Sequence, residues 1–364
     1  MSGRHFLQVP GPTNVPERVR QAMDRAVIDH RGPALPSVTA EVVEGMRTLF
    51  GTGAAEIAIF PGSGTAAWEA SLANTLNPGD RVLGFDFGQF SHMYCECARG
   101  LGMDVEELPA EWGRGVPIEI LSEALAADTA RTIKSVLVVH NETSTGVTSS
   151  IAAVRRALDH ADHPALLFVD AVSSLASIEF QFDAWSVDVA LTGSQKGLML
   201  PPGMAVLAVS RRAVNASQSA TTPRYFLDWA PVLHNIRQGY FPYTPATLLL
   251  YGLREALRML HEEGLDAVYA RHARHAEAVR AAVVAWELEL LCKEPIERSN
   301  TASAVLVPDE IDADDVLRAA EGLQLSLGTG LSQLKGRVFR IGHLGSLGEL
   351  EVLATLAGTE LALN

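Results

Sequence analysis

Between residues 57 and 209 short apolar runs recur, most of them separated by segments of helical spacing, and this alternation constrains the fold more than any other feature of the chain. The runs lie at 57–60, 81–85, 103–108, 135–140, 166–170, 187–191 and 204–209, and the helical segments at 65–76, 89–100, 118–127 and 151–161. Repeated strand-helix-strand units imply a largely parallel sheet covered by helices on both faces. Upstream, residues 17–26 read as a short helix with Pro16 at its first turn, and 36–50 as a second. Beyond Arg224 the pattern shifts to amphipathic helices near 246–263 and 265–286, then a strand at 302–307, a helix at 313–321, a strand at 338–341 and a helix at 347–361. The expected class is α/β, with an N-terminal segment and large domain over residues 1–245 and a linking helix plus a smaller α+β domain over 246–364.

Composition narrows the function. Hydrophobic residues at 48% and charged residues at 20% argue against disorder, and no apolar stretch is long enough to cross a bilayer. The opening residues lack a cationic patch followed by an apolar segment, and the ending Leu361 to Asn364 is not a peroxisomal address, so a cytoplasmic location is expected. A formal charge of −14, with Lys and Arg scattered, disfavours nucleic acid and anionic membranes as partners. Any anionic ligand must therefore be held by a local device. Cys95, Cys97 and Cys292 make no CxxC pair and read as core or semi-buried thiols. His272 and His275 have a spacing that can bind metal, but no third ligand is near in sequence, so they read as a solvated helix face with no metal.

Several strand ends carry polar side chains. The strand at 57–60 runs into Gly62-Ser63-Gly64-Thr65-Ala66-Ala67, which puts free N–H groups and two hydroxyls at a helix N-terminus and makes a phosphate cradle, or simply a capped helix. The same stretch fits the GxGxxA dinucleotide fingerprint, with Asp86 at the distance of a ribose partner. Asp170 ends a very apolar strand, where ligands collect in parallel sheets; it either caps the next helix or faces a cation such as a protonated pyridine nitrogen, with Val172 against the ring. Thr143, in the polar run from His140 to Gly146, either satisfies its own loop or bonds a phenolic oxygen, and Phe87 is either core or a ring-stacking aromatic. Lys196 sits in the turn from Thr192 to Gly197 between apolar runs. An ammonium there is disfavoured by desolvation, which frees a nucleophilic amine, although a surface turn carries lysine just as readily. Arg340, inside an apolar strand, wants a carboxylate from the protein or from a substrate.

These motifs occur together and in order from Pro10 to Gly345, and on them the chain resembles the class V, fold-type I pyridoxal-phosphate aminotransferases, in particular the serine-glyoxylate and alanine-glyoxylate branch. The stretches that carry the resemblance are Val9 to Asn14, Asp29 to Arg31, Trp68-Glu69, His140 to Thr143 with Thr145 to Val147, Val169 to Ser174, Gly193 to Gly197, Pro242 to Pro245 and Phe339 to Gly345. The resemblance implies that Lys196 forms the Schiff base with pyridoxal phosphate and that Asp170 pairs with its ring nitrogen. Ser63, Gly64, Thr65 and Gln195 then surround the phosphate. Phe87 and Val172 face the ring, Thr143 supplies a hydroxyl contact, and Arg340, with Gly11 and Thr143, meets the substrate. Thr244 would reach the phosphate of a neighbouring subunit, giving a homodimer with shared active sites or a dimer of such dimers. Phe241 stands where some relatives present a tyrosine, and Gly62 and Gly32 where serine is common.

The implied reaction moves an amino group from a small donor, serine before alanine, to glyoxylate, yielding glycine and a 2-oxo acid. Aspartate becomes a donor if Arg31 or His92 receives a second carboxylate. Cysteine desulfuration would need a cysteine in residues 325–334, and there is none. A nicotinamide-dependent oxidoreductase explains the glycine turn but not Asp170, Lys196 and Arg340, and a cofactor-free binding protein explains none of them.

Overall fold

The structure is a computed structural model that describes residues 5–364. The part of the leader reading that rests on residues 1–4 falls outside it. The apolar runs form one seven-stranded sheet in the order Glu56–Gly62, Gly203–Val209, Val189–Gly193, Leu166–Asp170, Ile133–Val139, Arg81–Asp86 and Asp104–Pro109. Helices Gly64–Thr75, Gln89–Gly100, Ile118–Ala127 and Ile151–His160 make the crossovers. Every residue of Leu166–Asp170 and Val189–Gly193 is buried, as strands covered on both faces must be.

Only Gly203–Val209 runs against its neighbours, being antiparallel to Glu56–Gly62 and to Val189–Gly193. Two reversals cancel, so Glu56–Gly62 points the same way as the parallel strands. The carboxyl ends carrying Ser63, Phe87, Asn141, Asp170 and Lys196 therefore come out along one sheet edge, where loops are free to build a site. Beneath it a continuous apolar core holds Phe60, Phe85, Phe87 and Phe168 nearly free of solvent. Each such ring contributes ~1.5–3 kcal/mol by burial, so the base on which the loops stand is rigid.

A second sheet orders Phe6–Gln8, Leu325–Thr329, Val338–Gly342, Ala302–Leu306 and Glu289–Leu290. Three of these strands escape the periodicity: Phe6–Gln8 has three residues and Glu289–Leu290 two, and Leu325–Thr329 lies in a stretch that reads as loop. Phe6–Gln8 pairs in parallel with Leu325–Thr329, so the N-terminal segment joins the smaller sheet although it precedes the larger one in sequence. Packing also moves the division seen at residue 245. Leu250, Leu253, Ala256, Leu260 and Val268 belong to the large core, whereas the second core begins at Val279, inside the helix Leu265–Ala285. Amphipathic spacing identifies such a helix but not the sheet it will cover.

His272 and His275 are not on a solvated face, being only 1% and 2% exposed. Nδ1 of His272 donates to the Val268 carbonyl, 2.7 Å, and Nε2 accepts from the Gly345 amide, 3.2 Å. Arg274, one position earlier, carries the exposed charge and pairs with Glu349. Cys95 and Cys292 are buried and Cys97 is half-buried, all three free. Among the described residues no helix is long and apolar enough to cross a membrane.

Candidate active site

A cavity of about 170 Å³ opens at the shared sheet edge, and most of the residues singled out from sequence line it: Gly11, Ser63, Gly64, Thr65, Thr143, Asp170, Val172, Gln195 and Lys196. Trp68, Phe90, Asn141 and Ser173 complete much of the wall.

Lys196 follows the strand Val189–Gly193 in a tight loop. The Met199 amide donates to the Lys196 carbonyl, 2.9 Å, and Met199 itself takes a positive φ of 59°. From the N-terminal segment, the Thr13 amide donates to the Gln195 carbonyl, 3.0 Å, and the Thr13 hydroxyl to the Lys196 carbonyl, 3.0 Å. The lysine Nζ donates to the Pro10 carbonyl. Gly11 makes this approach feasible, because a Cβ there would lie 2.5 Å from Nζ, and its φ of +103° suits no other residue. No carboxylate lies within ion-pair distance of Lys196 among the described residues. Burial first, and then the positive charge of Arg340, push its pKa down to about 8, against the opposing pull of Asp170.

Asp170, 4% exposed, sits below the cavity. Its Oδ2 accepts from the Trp68 indole N–H at 2.6 Å, and Oδ1 from the Val172 amide at 2.7 Å. Burial outweighs both bonds and lifts the carboxyl to about 6. A cation brought against it would oppose that shift, as the charge of Lys196 already does in part.

At the start of the helix Gly64–Thr75, Ser63 is the N-cap residue but its hydroxyl makes no capping bond. The first amides of the helix have no intrahelical acceptor, and they face the cavity beside that hydroxyl. A Cβ on Gly64 would come within 2.7 Å of Val172, so side chain is excluded from the cradle. Gln195 Oε1 is buried there without a partner. Amides, hydroxyls and a helix dipole together suit a phosphate.

Arg340 is 7% exposed, with no internal salt bridge among the described residues. Its Nε donates to the Thr329 carbonyl, 2.8 Å, and Nη1 to the Thr143 carbonyl, 3.1 Å. Burial lowers its pKa to about 10, with Glu142 opposing. A guanidinium anchored by carbonyls alone retains its charge for a carboxylate from outside. The Thr143 hydroxyl donates to Ser173 Oγ at 2.7 Å, and Ser173 Oγ in turn donates to the Asn141 carbonyl at 2.8 Å.

Three assignments from sequence do not line the cavity: Arg340, which stands behind its wall with Nη1 on the Thr143 carbonyl, and Phe87 and Thr244. Phe87 is fully buried in the core and does not line the cavity. It packs into the core just past the strand Arg81–Asp86, whereas Gly88 turns the chain and the new helix presents Phe90 instead. Thr244 is exposed and outside the cavity of its own chain. Trp68, Phe90, Asn141 and Ser173 were not singled out as site residues. Trp68, Asn141 and Ser173 lie within the motif stretches, which is the signal available for them, whereas Phe90 lies outside every one.

The charge arrangement sets a testable pH profile. In cofactor-free protein, labelling of Lys196 by an aldehyde followed by borohydride should rise with pH about a midpoint near 8, because only the neutral amine reacts. Arg340→Met should move the midpoint upward by removing a repelling charge. A midpoint at the ordinary lysine value of 10.5, read by peptide mass spectrometry, would contradict the buried setting.

The family model for aminotransferase class V matches residues 5–334. A serine–glyoxylate aminotransferase from Methylorubrum extorquens is 50% identical, covering 99% of this chain and 91% of its own length. An L-aspartate–glyoxylate aminotransferase from Paracoccus denitrificans is 45% identical, covering 100% of this chain and 92% of its own. The crystal structure of an alanine–glyoxylate aminotransferase from Nostoc sp. aligns with a TM-score of 0.93 at 31% identity, over 100% of this chain and 96% of that one. Pyridoxal phosphate is the cofactor of this family, and the donors around the cavity fit it at both ends, a carboxylate for the ring nitrogen and a cradle for the phosphate. Agreement over nearly the whole length settles the classification: the chain belongs to the class V aminotransferases.

Proposed function

We propose that the protein transfers the amino group of serine, with alanine as the next donor, to glyoxylate. The observation that carries the reading is the convergence of Lys196, Asp170 and the Ser63–Thr65 cradle on one cavity behind which Arg340 keeps an unpaired charge. The donor class is supported by the serine–glyoxylate aminotransferase relative at 50% identity. It is also supported by the charges on offer. Arg340 is buried beside the site and held by carbonyls, whereas His92 is held by Glu107 at 2.8 Å, which favours a donor with a single carboxylate over a diacid. An aspartate donor remains the second reading because of the aspartate–glyoxylate relative.

When bound, pyridoxal phosphate supplies the electron sink that stabilises negative charge at the donor's α-carbon. Lys196 Nζ, whose pKa is pushed down to about 8 so that a large share is neutral there, takes the α-proton and later returns one. Asp170 keeps a cation at the ring nitrogen, and Trp68 and the Val172 amide keep Asp170 in place. Ser63, Gly64, Thr65 and Gln195 hold the phosphate, while Phe90 and Val172 wall the ring. Arg340 binds the α-carboxylate and so orients the bond to be broken. Thr244, exposed on its own chain, is assigned to the phosphate site of a second copy, so the working unit is a homodimer with shared sites. Three free cysteines suit a reducing compartment such as the cytoplasm.

Steady-state rates over a grid of donors and acceptors test the proposal. Serine with glyoxylate should give the highest kcat/KM and alanine the next, with aspartate lower. Strong preference for pyruvate or 2-oxoglutarate as acceptor would overturn it.

A further inference from the structure

Among the described residues Glu142 is a fully buried carboxylate beside the cavity to which the reaction above gives no task. It lies in the strand Asn141–Glu142, 0% exposed, with no ion pair among the described residues. Four hydrogen bonds converge on it. Oε2 accepts from the amides of Phe90, 3.1 Å, and Ser91, 2.9 Å. Oε1 accepts from the Ser144 amide, 3.0 Å, and the Ser144 hydroxyl, 2.6 Å. The Ser144 hydroxyl in turn accepts from the Gln89 amide, 3.0 Å.

Gln89, Phe90 and Ser91 are the first three residues of the helix Gln89–Gly100, whose N–H groups have no acceptor within the helix. The N-cap residue is Gly88, which has no side chain to offer them. Acceptors come instead from a loop more than fifty positions away in the chain, and a negative charge is the favoured one at that end of a helix dipole. Gly88 is required for space rather than for its backbone angle. Its φ of 170° is open to any residue, but a Cβ would stand 2.2 Å from Glu142 Cγ. The residues on either side of the carboxylate have their own links to the site: Thr143 lines the cavity, and its carbonyl receives Arg340.

We infer that Glu142 is a positioning residue, which through the amides of Phe90 and Ser91 fixes the first turn of this helix and so sets Phe90 against the cofactor's place in the cavity. The inference rests on the assignment of that cavity to pyridoxal phosphate, but its first test does not. In cofactor-free Glu142→Gln the amides of Phe90 and Ser91 should exchange with deuterium about tenfold faster than in the parent, because an amide NH₂ must now face donors. Tyr94 and Cys95, inside the same helix, should keep their protection. Affinity for pyridoxal phosphate, measured by equilibrium dialysis, should fall about tenfold, and the visible circular dichroism of bound cofactor should weaken. Phe90→Ala should lower affinity alone, and the double variant should be no weaker than Phe90→Ala, since both act through one ring.

Exchange at Phe90 and Ser91 within twofold of the parent would overturn the inference, as would affinity losses that multiply in the double variant. Glu142→Asp, which keeps the buried charge but draws it back by one methylene from the two amides, provides the same reading if Glu142→Gln does not fold: faster exchange at Phe90 and Ser91 supports the inference and unchanged exchange sinks it. Should the parent bind no pyridoxal phosphate, the assignment of the cavity fails and the inference with it, whatever the exchange pattern shows.

Discussion

Lys196→Ala should lower turnover by about 10⁴-fold or more, since it removes both the nucleophile and the group that moves the α-proton. The protein should nevertheless fold and bind pyridoxal phosphate, because the cradle at Ser63–Thr65 and the carboxylate of Asp170 do not depend on the lysine. After borohydride treatment the parent should carry the cofactor on the peptide containing residue 196 and the variant should carry none. An adduct that persists on a different lysine would remove the central assignment. A small added amine should restore a fraction of the proton transfer, as the variant leaves space beside Gly11 and the Pro10 carbonyl that the lysine now fills.

Asp170→Asn should have the next largest effect. The substitution preserves shape but takes away the only carboxylate lining the cavity among the described residues, and it sets an NH₂ against either the Trp68 indole N–H or the Val172 amide. Breaking a buried charged pair costs about 3–5 kcal/mol, on the order of 10²- to 10⁴-fold in kcat/KM. The loss should fall mainly on kcat, because the charge acts on the developing carbanion more than on substrate capture. A cofactor analogue carrying a methyl group on its ring nitrogen has a permanent cation. It should recover activity in Asp170→Asn relative to the natural cofactor, and failure to do so would detach Asp170 from the ring nitrogen.

Asp170 and Lys196 were legible because both lie where an apolar run stops abruptly in polar residues, which is what a strand end at a site looks like in one dimension. The large sheet is legible for a related reason: its central strands, such as Leu166–Asp170, are buried on both faces and so read as apolar runs. What escaped depends on direction or partner choice. Phe87 and Phe90 are both aromatics at the start of a helix, and only the turn at Gly88 decides which one meets the cavity. His272 and His275 sit on an amphipathic helix whose buried side is set by the small domain that it crosses, not by its own spacing. Phe6–Gln8 is too short for any period, and its pairing with Leu325–Thr329 is a long-range event. Glu142 could not be recognised as buried, because a carboxylate that satisfies the amides of a distant helix has the same letters around it as one in solvent.

The antiparallel strand Gly203–Val209 has a consequence for biogenesis. It separates Glu56–Gly62 from Val189–Gly193, so the strand leading into the phosphate cradle cannot join the sheet until the ribosome has released residue 209. Until then Glu56–Gly62 is an unpaired edge on a nascent polypeptide, the kind of surface that chaperones shield from aggregation. Arg340 emerges later still, on Val338–Gly342. The phosphate cradle can therefore close only after residue 209 is made, and the grip on the substrate carboxylate only near the end of synthesis.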